Sequence, residues 1–546
     1  RNAATREDDP LSAHRATLYL CLLQLERKQG SGCGAASAMA YEALRVSGIP
    51  RVAADAGLTR ALIQRRSGSV EAARDTMETL INELYWYRRM LPGVLGAWYG
   101  EHRDELAREY LAQVRALAPG PGTGKSDGTA LLMAMERVRM LEAVDYARPG
   151  KRLADTEEES LRSLLARREA GSGNDVPRLA AEANDRLAAA RSGTGAAPGA
   201  VSETSLEGML AGLGRSEAVL AYYFNGRQTQ ALLARRGGVQ AIDLPGMAGI
   251  EERLEELRNS WTGPGSSVLP GLLDALGLSL LKPLAGGLPE KIYLLPAGPL
   301  RGIPLDALRL NGEYLAEPHE LVNLTSLDSS ARRSLAMTEN FPERVFLAGN
   351  PREQGDPFSL EFRASPEISA VTDQFVGPGL HIVQGVALQK HEFRDARLAQ
   401  AALVHLALAG TLDLDLPDRS RLLLAPVGAG HAAGSSFLAP QDVRGFDIAA
   451  QLVVLSGTAV VGSGRSPADS RLAFVADFLE AGSAAVLVSY RTAGEVANAE
   501  FTTDLYRRLR TGPNVGAALA ETKRARIEAD SATNLPYWAG FQLFIR

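Results

Sequence analysis

Cysteine is almost absent from this chain. Its 546 residues include two, Cys21 and Cys33, and none beyond position 33. A pair can make one bridge at most, and it rules out both a disulfide framework and a cysteine-based zinc cluster. Cys21 lies in the apolar helical run "LYLCLLQL", where a thiol behaves as a small hydrophobe, and Cys33 lies in the glycine-rich "GSGCGAAS". Histidine is equally sparse: His14, His102, His319, His381, His391, His405 and His431 are scattered. The stretch "HEFRD" at 391–395 opens like a zinc-protease helix, but Asp395 stands where the second histidine is needed. No metal and no other cofactor is expected. No apolar run approaches the roughly eighteen residues that span a bilayer, so no membrane span is expected. A strong charge of either sign is also missing: the formal net charge is −5 and the pI is near 6.0. That gives no bias towards nucleic acid, and clusters such as "RLAAARSG" and "YRRLRTG" read as solvated helix faces.

What remains is the composition of an ordinary soluble protein, 45% apolar and 23% charged. The length implies two to four domains. The chain starts at Arg1 and not at Met, which reads as trimming. A cytoplasmic setting is favoured, and a removed signal peptide would instead place the protein in the periplasm or outside the cell.

Residues 10–118 are helical in pattern. "RATLYLCLLQLERKQGSGCGAASAMAYEALRVSG" and "AGLTRALIQRRSGSVEAARDTMETLINELYWYRRM" each run helix, Gly-Ser turn, then alanine-rich helix. Small residues after the turn allow close antiparallel packing, and the spacing resembles a tetratricopeptide-type helical repeat. Further helices are predicted at 101–117 and 128–146. The glycine-rich "APGPGTGKSDGT" between them fails as a phosphate-binding loop. Pro119 occupies the place of its first glycine, and the segment joins two helices instead of following a strand. The helical region is assigned to 1–190, and the Gly/Ala-rich "RSGTGAAPGAVSETS" at 191–205 reads as a linker.

Beyond the linker the pattern changes. Residues 218–246 read as two alternating runs split by Asn225-Gly226, a hairpin signal, within a connecting region at 206–290. Short apolar runs follow: "KIYLLPAG", "RVFLAGNP", "LHIVQG", "ALVHLALAG", "LLLAP", "LVVLSG" and "AAVLVSY". Helical segments are predicted at 365–376, 468–481, 498–510 and 515–529. Alternation of short apolar strands with helices implies α/β architecture with a mostly parallel, helix-flanked sheet. Open sheets of this kind place reactive groups at the carboxyl ends of strands. Side chains alternate along a strand, so His405 lies about 13 Å before the end at Ala409 and is expected to point into the packing.

The order of "YLLPAGPLRGIPLDAL" (293–308), "VFLAGNP", "VHLALAG", "LVVLSGTAV", "FLEAGSAAVLVSY", "FTTDLYRRLRTG" and "YWAGFQLF" (537–544) resembles the CHAT family. These are caspase-like cysteine peptidase domains associated with tetratricopeptide repeats. The resemblance implies a caspase-like domain over 291–546. It also implies a catalytic dyad, a histidine closing one strand and a cysteine closing another. Here Ala409 falls at the histidine position and Thr458 at the cysteine position, so no catalytic residue is expected. Thiolate attack with imidazole proton transfer needs both groups. A hydroxyl such as Thr458 cannot replace them without a positioned base.

The expected function is a catalytically inactive pseudopeptidase acting as a protein-binding or regulatory module, with a protein or peptide partner. Its emptied cleft would be lined by Gly410, Ser456, Gly457, Asp413, Asp415 and Arg465. One alternative is a rewired hydrolase that uses Thr458 or Ser456 with another base, His431 in its glycine-rich loop being one source. Another is a non-catalytic subunit in a heteromer with an active peptidase homologue.

Overall fold

The computed structural model describes residues 10–27, 33–90, 96–117, 126–143, 160–161, 163–167 and 176–194 of the N-terminal part. Towards the C terminus it describes 203–224, 229–245, 248–262, 269–284, 286–296, 300, 303–325, 327, 343–349, 365–375, 377–412, 420–425, 436–443, 445–456, 459–460, 467–489, 495–512, 514–530 and 535–545. The chain divides into two compact units, Arg1–Ser202 and Glu203–Arg546.

The first unit is helical. Its helices are α1 (Pro10–Glu26), α2 (Cys33–Arg45), α3 (Pro50–Arg66), α4 (Val70–Met90), α5 (Gly96–Leu117), α6 (Ser126–Ala143) and α7 (Val176–Thr194). From α1 to α6 each helix packs on the next, and α1 also touches α3 and α4 touches α6. Small residues permit this closeness, because the buried faces of α2 and α3 carry Ala40, Ala54, Ala56 and Ala61. Of the phosphate-loop lookalike at 118–129, residues 118–125 lie outside the described residues and 126–129 open α6.

The second unit is built on an eleven-stranded sheet. Its strands are β1 (Glu217–Phe224), β2 (Thr229–Arg235), β3 (Gly238–Leu244), β4 (Lys291–Leu295), β7 (Glu320–Leu324), β8 (Val345–Gly349), β9 (Leu380–Gln384), β10 (Leu403–Ala407), β14 (Leu452–Leu455), β16 (Ala485–Ser489) and β17 (Phe541–Ile545). Their order is β3-β2-β1-β4-β7-β17-β16-β14-β10-β8-β9. The half from β16 to β9 pairs in parallel, whereas β17 lies antiparallel to β16. Strands β8, β10, β14 and β16 are buried along their whole length, which is why they read as near-continuous apolar runs.

Helices cover both faces. Val404, Leu406, Val453, Leu455, Val486 and Val488 share a core with Phe474, Val475 and Phe478 of Pro467–Glu480. The alternate residues point the other way, towards Ser365–Thr372 and Glu495–Thr511, two helices that pack on each other. In chain order Leu269–Leu280 is α8, Ser365–Thr372 α9, Pro467–Glu480 α10, Glu495–Thr511 α11 and Val515–Asp530 α12.

Three details depart from the sequence reading. Residues 218–246 form three strands, not two, because the chain turns again at Arg236-Gly237 and β3 starts at Gly238 with φ +131°. The run "LLLAP" does not join the main sheet. It contributes β12 (Arg421–Leu423) to a four-stranded sheet, with β11 (Gly410–Leu412), β13 (Phe437–Leu438) and β15 (Ala459–Val460), in the order β13-β12-β11-β15. A strand absent from the reading, β7, runs through "ELVNL", where the buried polar Asn323 interrupts the apolar pattern.

Candidate functional site

The two strands singled out by sequence are neighbours at the heart of the sheet. β10 and β14 pair in parallel with Leu403 opposite Leu452, His405 opposite Val454 and Leu406 opposite Leu455. Both chains then leave the main sheet and pair again in the small one, where Thr411 lies opposite Ala459. The end of β10 at Leu406 therefore lies beside the end of β14 at Leu455–Ser456. Parallel in-register pairing is what brings two strand ends to one place, where open α/β sheets present their chemistry.

At the β10 end stands Ala409, half-buried, whose carbonyl accepts a 2.8 Å hydrogen bond from the Leu423 amide. A methyl side chain offers neither base nor acid. Gly410 is buried beside it. A Cβ there would lie 2.6 Å from the Arg421 carbonyl oxygen, so the close approach of β11 and β12 requires glycine. At the β14 end Ser456 is fully buried, and its amide donates to the Leu406 carbonyl at 3.2 Å. Thr458, Gly457, Asp413, Asp415, Arg465 and His431 lie outside the described residues.

Beneath these ends sits a polar cluster that the sequence reading did not assemble. His405 has no exposure, as expected of a packing residue. Its Nδ1 is 2.7 Å from the Tyr506 hydroxyl on α11, and its Nε2 is 3.4 Å from Ser456 Oγ. Glu367, in the first turn of α9, places Oε1 3.3 Å from the same Nε2. Neither Glu367 oxygen finds a donor in hydrogen-bonding geometry among the described residues, so this is proximity and not a formed bond. Asn498, two turns before Tyr506 on α11, donates from Nδ2 to the Ser456 carbonyl at 2.8 Å. Burial, with Glu367 as a second contributor, pushes the Tyr506 phenol well above its ordinary 10.0, so the phenol keeps its proton and can donate it to Nδ1.

Ser456, His405 and Glu367 are the residue types of a hydrolytic triad, but the wiring differs. A working triad puts the hydroxyl on one ring nitrogen and the carboxylate on the other, so that the carboxylate orients the base. Here serine and glutamate share Nε2 while a phenol holds Nδ1. With the phenol donating to Nδ1, the ring proton sits on Nε2, and Ser456 faces N–H and not a lone pair. All three side chains are buried. The formed bonds make a buried core network that ties β10, β14 and α11 together, with Glu367 of α9 packed beside Nε2. Glu367, Asn498 and Tyr506 were missed at the sequence level. The available signal was the eight-residue spacing of Asn498 and Tyr506, which puts two polar groups on the sheet-facing side of one helix.

Three other histidines of this unit have partners of their own. His319 Nδ1 contacts the Pro289 carbonyl at 2.6 Å, and burial lowers its pKa below 6.5. His381 pairs with Arg397 at 3.0 Å, and His391 sits beside Glu392 at 3.1 Å. Among the described residues no group of three or more His, Cys, Asp or Glu could hold a metal ion. Among them also, no helix is long and apolar enough to cross a membrane.

The family model described as CHAT domain matches residues 270–545. No curated protein matches the chain. Two crystal structures of the Saccharomyces cerevisiae separase–securin complex are similar to it. One, at 2.6 Å resolution, has a TM-score of 0.41 and 9% identity, covering 100% of this chain and 48% of that one. The other, at 3.0 Å, has a TM-score of 0.41 and 9% identity, covering 97% and 46%. The chain thus spans about half the length of the separase structures it matches.

Proposed function

The chain belongs to the CHAT family, and from that premise we propose that it is a catalytically inactive member, a pseudopeptidase whose domain binds a protein or peptide partner or regulates one. One observation carries this reading: the whole matched region, 270–545, contains no cysteine. A cysteine peptidase without a thiol in its catalytic domain has no nucleophile. Ala409 at the β10 end supports the same reading, because it leaves no imidazole there. The scaffold argues against simple decay, since the paired strands, the glycine at 410 and the buried Ser456 still build both strand ends. Surfaces of this kind can hold a peptide without cutting it.

A second reading, a hydrolase using Ser456, is favoured by the 3.4 Å approach of His405 Nε2 to Ser456 Oγ. It requires that cluster to open to substrate and the ring to exchange its proton, whereas Tyr506 and burial hold both in place. The first reading is therefore preferred. A third, in which the chain is a non-catalytic subunit beside an active peptidase, is a special case of the first with the partner specified.

The deciding experiment incubates the intact chain with a protease-free proteome extract and reads new peptide N termini by mass spectrometry. The expected result is no cleavage above the buffer control. In parallel, a thiol-directed peptidase probe is expected to leave residues 270–545 unlabelled. Cleavage that disappears in Thr458→Ala or Ser456→Ala would overturn the proposal in favour of the rewired hydrolase.

A further inference from the structure

The two cysteines that take no part in the site meet each other. Cys21 lies in the penultimate turn of α1 and Cys33 opens α2, and both are free and buried. Their contacts are reciprocal. Cys21 Sγ is 3.8 Å from the Cys33 carbonyl oxygen, and Cys33 Sγ is 3.8 Å from the Cys21 carbonyl oxygen. Each side chain therefore lies across the other residue's peptide unit, with both sulfurs in the gap between two antiparallel helices. Burial and the neighbouring Cys33 thiol raise the Cys21 thiol to about 11. A disulfide needs Cα atoms about 4.4–6.8 Å apart and Cβ atoms facing one another, and the reciprocal contact sets the two residues side by side.

Surroundings matter as much as approach. The pair sits in a small core with Leu18, Ala40, Leu44 and Ile63, so a covalent link there joins groups that are already packed. Cys33 Sγ donates to Gln24 Oε1 at 3.1 Å, and Gln24 is exposed. That bond places Cys33 one side chain from solvent, so the first reaction with oxidant is assigned to Cys33.

We propose that Cys21 and Cys33 are a redox modification site, closing to a reversible disulfide that clamps α1 onto α2. With hydrogen peroxide as oxidant, the Cys33 sulfur attacks one peroxide oxygen and the O–O bond breaks. Cys33 becomes a sulfenic acid and one water leaves. The Cys21 sulfur then attacks the Cys33 sulfur and loses its proton. The S–S bond forms, the S–O bond breaks and a second water leaves. Two thiols and one peroxide give one disulfide and two waters. A dithiol reductant reverses the change by exchange at sulfur. The link closes a loop that spans the 27–33 connection, so it removes conformational freedom from the unfolded chain.

The test treats the intact reduced protein with hydrogen peroxide, quenches it and alkylates the unfolded chain with N-ethylmaleimide. The expected outcome is a loss of two hydrogens in the intact mass and of both alkylation adducts. A proteolytic peptide linking Cys21 to Cys33 should appear, and dithiothreitol should restore the starting state. The thermal midpoint read by circular dichroism should rise by roughly 5–10 °C on oxidation. Cys33→Ser should show neither the cross-link nor the rise. Full alkylation of both thiols after peroxide overturns the proposal. So does oxygen added at Cys33 while Cys21 stays alkylatable, a cross-link found only between two chains, or an intramolecular cross-link without a change in midpoint.

Discussion

Gly410 and Tyr506 are the residues around the strand ends whose roles can be separated by substitution. Gly410 has no room for a side chain, because a Cβ would sit 2.6 Å from a backbone oxygen and 2.9 Å from Leu422 Cδ2. The carbonyl cannot yield without moving β12, so Gly410→Ala is expected to cost about 1–3 kcal/mol in chemical denaturation. Tyr506 serves the network through one bond. Tyr506→Phe keeps the packed ring against Phe375, 5.3 Å away, and deletes only the hydroxyl that faces His405 Nδ1. A buried imidazole nitrogen left without its partner costs about 1–3 kcal/mol, again readable as a shift in denaturation midpoint. An unchanged midpoint in this variant would mean that the cluster does not tie helix to sheet. His405 is buried as the sequence reading expects, because it sits four residues before Ala409 inside a strand covered on both faces. It could not place Glu367, which is some forty residues away and meets His405 only when α9 docks on the sheet.

Helices and strands in this unit are joined by two contrasting devices. α8 carries two glycines with opposite surroundings. A Cβ on Gly277 would meet the Arg309 carbonyl oxygen at 1.7 Å, where the helix crosses the short strand β5 (Arg309–Leu310), whereas Gly271 has nothing within 4 Å. Gly277→Ala is expected to destabilise strongly, beyond about 3 kcal/mol, while Gly271→Ala should stabilise by about 0.4–1 kcal/mol through the unfolded chain. Measuring both variants by urea denaturation separates steric cost from helix propensity. The second device is a buried ion pair between Lys523 of α12 and Asp306, to which Gln542 of β17 donates at 2.9 Å. Lys523→Met leaves the Asp306 carboxylate buried without its cation, and a loss of about 3–5 kcal/mol is expected, partly recovered by adding Asp306→Asn. The same elements show where sequence patterns mislead. "LLLAP" looks like any other buried strand, but β12 borders β11 past the sheet's rim, and only three-dimensional context distinguishes the two positions. The Asn-Gly signal used at 225–226 has a second instance. Asn311 and Gly312, with φ of +56° and +88°, turn β5 into β6 (Glu313–Tyr314) as a two-residue hairpin.

At the scale of the molecule, the periodicity that separates the helical unit from the sheet unit is legible because each class buries a different repeat: one face of a helix, or both faces of a strand. The chemistry is less legible, because the dyad loss proposed here is an absence, and only the family's order of motifs gives that absence a position. Both units share one physical trait with a measurable consequence, a set of deeply buried tyrosines. Burial raises Tyr110 of α5 to about 12, and it raises Tyr222 of β1 and Tyr506 of α11 well above the ordinary 10.0. In the unfolded chain these phenols ionise near 10, whereas in the folded chain they keep their protons. Above that pH the unfolded state holds fewer protons than the folded state, so stability is full below pH 10 and falls as the pH climbs towards the folded values. Each phenol is expected to cost about 1 kcal/mol by pH 11. Urea midpoints measured from pH 8 to 11 should therefore be flat at first and then drop. Phenylalanine at position 506 lowers the starting stability but removes one ionisation, so the Tyr506→Phe curve should fall less steeply above pH 10 than the parent curve. Parallel curves would place the alkaline loss elsewhere, in groups other than the phenol that holds His405.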